Sequence, residues 1–494
     1  MTTNESGSSG SRARTFDFDN WDGHARGATE AIRQFAAHEA LRSAMVDELE
    51  LDDEFHRRAA RPEDLSFIKF SRPANAETVT QLPFLASQRI LLSIHELGVA
   101  GLPRDGSAES FDRVARFYDE EHRMLGTQIL PFLEAFAFDF LERNREEDAA
   151  PQSVGARKQE LVVRLRTLVR TEAAFWTSAF ERFVQTGYLE EGVRFALIQN
   201  WSLAASKRTA LARATASRFF EPLGPSLAPR LVTNAPSDAD IRRLALRCGV
   251  KRQQHAYWQF YLSTSLASCN LIHALARRPD RALRLYGAAF VAEAEWLAFG
   301  CLTGMASAKL GLEEAQTGAE TRSLVDDLAH RFEESLDIVE RRWGERGLDE
   351  VARGLDLASV LGASVRRNLG EQFRWLSSMD VYKEIARRID QRIRTERPDI
   401  DRETFVEPRE MCSTTHVHDD HRLVVIETGN MVFWGNQGME LRLAPGEMVL
   451  VPQGRLHGSS IESDECVYHQ PIIPEEWVQS LVAELDPLAA AIRI

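Results

Sequence analysis

The hydrophobic period of this chain changes near residue 410, and that change limits the folds open to it. Up to about Ile389 apolar residues recur three and four positions apart, as on one face of a helix, and Ser110 to Arg143 is the plainest case. From Thr415 onward they alternate or form short runs, RLVVIET, NMVFWG, MELRL and EMVLVP, separated by Gly429, Gly435, Gly438 and Pro445-Gly446. That is the pattern of short antiparallel strands closed into a barrel or jelly roll. Between the two regimes, Arg394 to Glu410 is charged and carries Pro398 and Pro408. A helix repeats every 3.6 residues and a strand every two, so one segment cannot serve both, and the chain must hold separate folding units. The closing residues return to a helical period.

A second break is visible at Asn144 to Glu160, a polar stretch with Pro151 and Gly155. Single cores rarely grow past about 250 to 300 residues. The 494 residues are therefore expected to form three units: a helical dimerisation domain at 1–150, a second helical domain at 151–395 and a β domain at 396–494. The fold class is multidomain α+β. A content of 44% hydrophobic and 27% charged residues excludes a disordered or fibrous chain. The five cysteines include no CxxC pair, which argues against a disulfide framework or a thiolate zinc site. The polar start lacks an apolar h-region, and the most apolar stretch, Tyr286 to Gly304, carries Glu293 and Glu295. A cytoplasmic protein without a membrane span is expected. A formal charge of −14 argues against nucleic acid or an anionic membrane as the main partner and mildly favours cationic small molecules in the diffusional encounter. Phe132, Leu133, Phe136, Phe138 and Phe140 give the first block more apolar surface than a short bundle covers, so a homodimer through it is expected.

His416-Val417-His418 stands where a strand should begin, and alternation puts both imidazoles on one face, where they can chelate one metal. PGEMVLVPQGRLHG then supplies His457. This arrangement resembles the cupin family: His416, His418 and Gly429 match its first motif, and Gly446, Pro452, Gly454 and His457 its second. Arg422 stands where the family has a metal-binding glutamate, and Ile461 where it has asparagine. The resemblance implies a C-terminal cupin β-barrel with a site of three neutral histidines. Such a site suits Fe(II) or another divalent first-row metal and keeps positions open for substrate and dioxygen. Arg422 or Arg455 could pair with a substrate carboxylate, with Trp434, Tyr468 or Phe405 beside it; Arg422 and Tyr468 are the catalytic candidates. His421 reads as a solvated turn residue, Asp419 and Asp420 either as turn residues or as groups that support the site by hydrogen bonds, and His469 either supports the site by a hydrogen bond or is an ordinary polar residue.

Ala179 to Ala214, an aromatic-ended helix, a turn at Gly187 and a long helix, resembles the opening of the heme-oxygenase-like diiron oxidases. That family's later ligands have counterparts in Glu293, Asp327 and His330, the last two spaced to share a helix face. Its earlier ligands do not: Gln199, Asn200 and Trp201 replace a glutamate, Leu227 to Asp240 lacks a glutamate and histidine pair, and Ser323 replaces an aspartate. Glu293, Asp327 and His330 would hold one metal or form a buried hydrogen-bonded remnant, and a diiron centre is not expected. The run Asp119, Glu120, Glu121 and His122 reads as a solvated face or a dimer contact.

Taken in order, the helical, heme-oxygenase-like and cupin units resemble the three-domain N-nitrosourea synthase family of streptozotocin biosynthesis. The resemblance implies a non-heme iron enzyme with dioxygen as cosubstrate. Its cupin iron would oxidatively rearrange an N-hydroxylated guanidine or arginine-type substrate to form an N-N (N-nitroso) bond. Two other readings remain open: a three-histidine cupin dioxygenase acting on a thiol or other small chelating substrate, and a non-enzymatic metal- or metabolite-binding protein.

Overall fold

The structure is a computed structural model that describes residues 20–39, 41, 68–97, 106–143, 153–224, 226–228, 237–251, 256–312, 318–409, 411–434 and 440–486. The polar start, most of the 144–160 break and the turn at Gly435 and Gly438 lie outside the described residues. Among the described residues, eleven α-helices precede the strands: α1 (Trp21–Ala36), α2 (Leu82–Glu96), α3 (Ala108–Phe117), α4 (Glu120–Arg143), α5 (Val154–Thr186), α6 (Leu189–Ala216), α7 (Ser237–Arg247), α8 (Ser263–Ala276), α9 (Ala282–Lys309), α10 (Gly318–Leu376) and α11 (Met379–Glu396). Then come β1 (Arg402–Pro408), β2 (Cys412–His416), β3 (His421–Thr428), β4 (Met431–Trp434), β5 (Glu440–Leu443), β6 (Met448–Val451), β7 (His457–Ile461) and β8 (Glu465–Ile473), closed by α12 (Glu475–Leu485). Large helical units followed by an antiparallel barrel are what the change of period requires.

Local chemistry sets the helix ends. Ser153 caps α5 by accepting from Ala156 N, 3.3 Å away, and Gly187 ends it at φ 77°. The packing of α9 on α10 depends on two glycines. A Cβ on Gly287 would run into the backbone at Val351, and one on Gly354 into the backbone of Arg284, so the helix axes approach as closely as bare backbones allow. α10 bends at Gly344 (φ 60°).

The apolar face of α4 is covered within the same chain. Phe132, Leu133, Phe136 and Phe140 are buried in one cluster with Trp21 and Phe35 of α1 and Phe84 and Ile90 of α2, and Trp21 stacks on Phe132 at 4.9 Å. They do not form the free surface that the sequence suggested. That cluster continues through α5, α9 and α10 as far as Leu361, so the core does not break at residue 150. Two helical stretches are long and apolar enough to cross a membrane; in the one containing α9, most of the apolar run is buried inside the molecule, and α9 packs against α5 and α10.

The strands form two antiparallel four-stranded sheets, in the orders β1-β8-β3-β6 and β2-β7-β4-β5. α11 packs on β6, and Trp375 at the end of α10 donates to Leu450 O at 3.2 Å. Arg182 of α5 pairs with Asp486 beyond α12 at 3.2 Å, both buried. The loops flanking the histidines meet the helical body. Asp419 Oδ1 accepts from Leu82 N at the start of α2 (2.7 Å), Leu456 N donates to Gln372 Oε1 of α10 (3.2 Å), and Arg455 pairs with Glu371. Val417 and Leu456 join the apolar cluster of Tyr257, Trp258 and Phe260.

Candidate metal centre

β2 and β7 are paired so that His416 lies directly opposite His457, and a break in register between Ser413 and His416 precedes that pair. His418 follows two residues on. Ring centroids are 4.4 Å apart for His416 and His457, 4.8 Å for His416 and His418, and 4.9 Å for His418 and His457. One ligand atom from each lies within 4.8 Å of the others, the only such group of three among the described residues. Gly446 (φ 85°) and Gly454 (φ 70°) make the turns that carry the chain into β6 and to His457.

The chemistry of the donors fits a metal ion. His457 Nδ1–H donates to the Arg455 carbonyl at 2.9 Å, which leaves Nε2 with a bare lone pair. Burial holds the His457 pKa well below the ordinary imidazole value, helped by neighbouring His416 and by the Arg422 charge. The ring is therefore neutral, as a ligand must be. Phe433 stacks on it at 5.5 Å, and the Trp434 indole packs so closely on Gly458, the next residue, that a Cβ there would collide with it. Three imidazoles and no carboxylate suit a borderline divalent first-row ion.

Arg422 and Tyr468 lie on the other sheet. Arg422 Nε donates to Asp420 at 2.8 Å, and its Nη1 to Glu403 at 2.6 Å and to Gln470 Oε1 at 3.3 Å. The guanidinium is thus held by two acids, and these raise its pKa against the opposing effect of burial. Tyr468 is buried and stacks on Phe405 at 5.0 Å. Alternation along β8 sets Tyr468 on the face of Gln470, the partner of Arg422. His469 points to the opposite face, bonded to Thr404 (2.8 Å) and Glu427 (2.5 Å). His421 accepts from Gln453 N at 3.1 Å.

The expected set of Glu293, Asp327 and His330 is not brought together. Arg331, one residue past His330, is buried between the acids: it forms an ion pair with Glu293 and its Nε donates to Asp327 at 3.0 Å. His330 is exposed, within 3.4 Å of Glu334. The acids therefore hold a protein cation where the resemblance implied a metal. The run at Asp119 is also only partly a solvated face: Glu120 and Glu121 are exposed, but His122 is buried and stacked on Phe35 at 4.2 Å.

Sequence reasoning missed a second buried charge cluster, in which Glu172 of α5 pairs with Arg366 of α10, and Glu295 of α9 lies 3.8 Å from Lys207 of α6. Burial, with the Glu295 charge, pushes the Glu172 pKa up to about 7 against the lowering effect of Arg366. Its signal was present, since Glu295 stands two residues after Glu293 and so points to another side of the same helix.

A bundle of helices carrying a C-terminal cupin-type barrel with a three-histidine centre defines the class. Residues 399–492, which span that barrel, match the AraC-like ligand binding domain family. Beyond the barrel, the chain is 26% identical over 452 residues to the Nitrosourea synthase of Streptomyces achromogenes subsp. streptozoticus, covering 89% of this chain and 94% of that protein. The resemblance to that synthase therefore extends over nearly the whole length.

Proposed function

We propose that this protein is an Fe(II)- and dioxygen-dependent oxidoreductase of specialised metabolism. His416, His418 and His457 hold the iron, and the substrate is an N-hydroxylated guanidine of arginine type, converted with formation of an N-N (N-nitroso) bond. The observation that carries this reading is the three-histidine centre inside a chain similar along nearly its whole length to a Nitrosourea synthase. Bound iron supplies a Lewis acid with open positions and a redox partner for dioxygen. The protein's own part is positional. The Arg455 carbonyl fixes the His457 tautomer, Phe433 fixes its ring plane, and Arg422, at the place of the family's fourth ligand, brings positive charge rather than a carboxylate. Asp420 and Glu403 already neutralise that charge, and Tyr468 lies on the same sheet face.

Arg331 between Glu293 and Asp327 supports a division of labour in which the central bundle oxidises nothing and the substrate arrives already hydroxylated. Anaerobically Fe(II)-loaded protein exposed to air with N-hydroxyarginine derivatives should consume them and yield N-nitroso products by mass spectrometry, and should leave unmodified N-methylarginine untouched. Consumption of N-methylarginine would put oxidation back in the central bundle. Activity on a small thiol alone would favour a three-histidine dioxygenase instead. The match to a ligand binding domain favours a third role, a metal- or metabolite-binding protein; tight metal uptake without any turnover would select it.

A further inference from the structure

One end of the helical bundle holds a cavity of about 680 Å³, within the range of about 300–1,000 Å³ that accommodates small organic ligands. It lies where α6 and α8 end and α9 begins, against the bend of α10, and no residue of the barrel lines it. Its apolar walls include Phe219, Leu283, Tyr286 and Trp343, and Trp343 keeps 40% of its surface exposed.

The charges in the lining are Arg213, Arg218, Arg277, Asp280 and Glu350. Three are already matched. Arg218 is held by Glu221 through bonds of 2.7 and 2.6 Å, Asp280 accepts from Arg278 at 2.8 Å, and Glu350 is held by Arg284 and by Arg353 at 2.9 Å. The other two form no ion pair among the described residues, although the Glu96 carboxylate lies near enough to Arg213 to offset part of the lowering of its pKa. Arg213 donates to the His95 carbonyl at 3.2 Å, and the Arg277 side chain makes no ion pair or hydrogen bond among the described residues. Burial lowers the Arg213 pKa and Arg277 adds to that lowering, so the two cations are close enough to repel each other. Two like charges facing an aromatic-walled cavity, in a chain of net charge −14, form an arrangement that a bound oxyanion would relieve.

We infer that this cavity is a second ligand site that binds a small organic anion, a carboxylate or phosphate carried on a planar ring, with the oxyanion between Arg213 and Arg277 and the ring against Tyr286 and Trp343. Guanidinium groups offer paired donors to such oxyanions, and aromatic side chains bind a ring by offset stacking or edge contact.

Calorimetric titration of the full chain with AMP, benzoate, inorganic phosphate and adenosine tests this. AMP or benzoate should bind one site per chain and more weakly as ionic strength rises. The tighter of the two identifies the head group, and adenosine, which has the ring without the anion, should bind at least about tenfold more weakly. Arg277 is exposed, so Arg277→Ala should leave the circular dichroism spectrum unchanged and weaken the anion about tenfold. Trp343→Ala should weaken the ring-bearing anion and leave phosphate unaffected. The inference fails if no anion binds saturably at millimolar concentration, if Arg277→Ala binds as tightly as the parent, or if adenosine matches AMP. It also fails if His457→Ala abolishes the binding, since the anion would then sit at the cupin histidines.

Discussion

Glu293 is buried against Arg331, so taking the arginine away leaves a carboxylate inside the bundle without that counter-charge. Arg331→Met should lower unfolding stability by about 3 to 5 kcal/mol. Glu293→Gln combined with Arg331→Met should recover much of that loss, as read from urea unfolding of the two variants. A single variant within about 1 kcal/mol of the parent would show that the pair is not structural. The same residues mark how far single positions could be read in advance. His416, His418 and His457 were legible from the spacing of the two motifs, although β2 ends at His416, where the sequence had a strand begin, and His418 lies beyond it. Of Glu293, Asp327 and His330, the two acids stand on different helices and are joined by Arg331, close to the hydrogen-bonded alternative the sequence left open, while His330 faces outward. The cation that occupies the site is the next residue in the chain, a type no ligand search picks out. The partners of Arg422 were hidden for a different reason: Glu403 and Gln470 come from strands that only the sheet order brings beside it.

At the scale of elements, the 3.6 and 2 periods located the helices and strands, whereas contacts between elements left no periodic trace. The bend of α10 at Gly344 and the bond from Leu82 N to Asp419 belong to that second class. So does the packing of His122 at the start of α4, which sequence charge alone assigned to a solvated face. Its pKa is pushed down to about 4 by burial and by His38, opposed by Asp119. Between the ordinary value of 6.5 and about 4, the unfolded chain takes up a proton that the folded chain refuses. Stability is therefore lost as pH falls through that window and is insensitive to this group above it, a loss of about 2 kcal/mol between pH 7 and pH 5. His122→Phe, which keeps the stack on Phe35, should remove that part of the acid sensitivity. Equal pH dependence of the denaturation midpoint in parent and variant would contradict the assignment.

On the scale of the whole molecule, the core runs on across the expected boundary at residue 150, but the passage from a helical body to a β unit was legible from the change of period near residue 410. The docking of the histidine-bearing loops onto α2 and α10 was not, because it rests on single polar contacts such as Leu456 N to Gln372. The proposed homodimer now rests on different residues, because the phenylalanines of α4 are covered within the chain. Phe111 of α3 and Met124 of α4 are 48% and 65% exposed and offer an apolar surface on the first block. Light scattering should return twice the 55.8 kDa chain mass, and Met124→Lys should halve it. A parent of single-chain mass would remove the dimer.

The central claim, that three neutral histidines of the barrel hold one iron, is tested most directly by metal analysis after anaerobic Fe(II) loading and desalting of the parent and of His457→Ala. The parent should hold one iron per chain. The variant should lose that iron sharply, with the helical circular dichroism unchanged, since His457 is one of the three clustered donors and no carboxylate joins them among the described residues. Stoichiometric iron retained by His457→Ala, or two irons per chain in the parent, would contradict it.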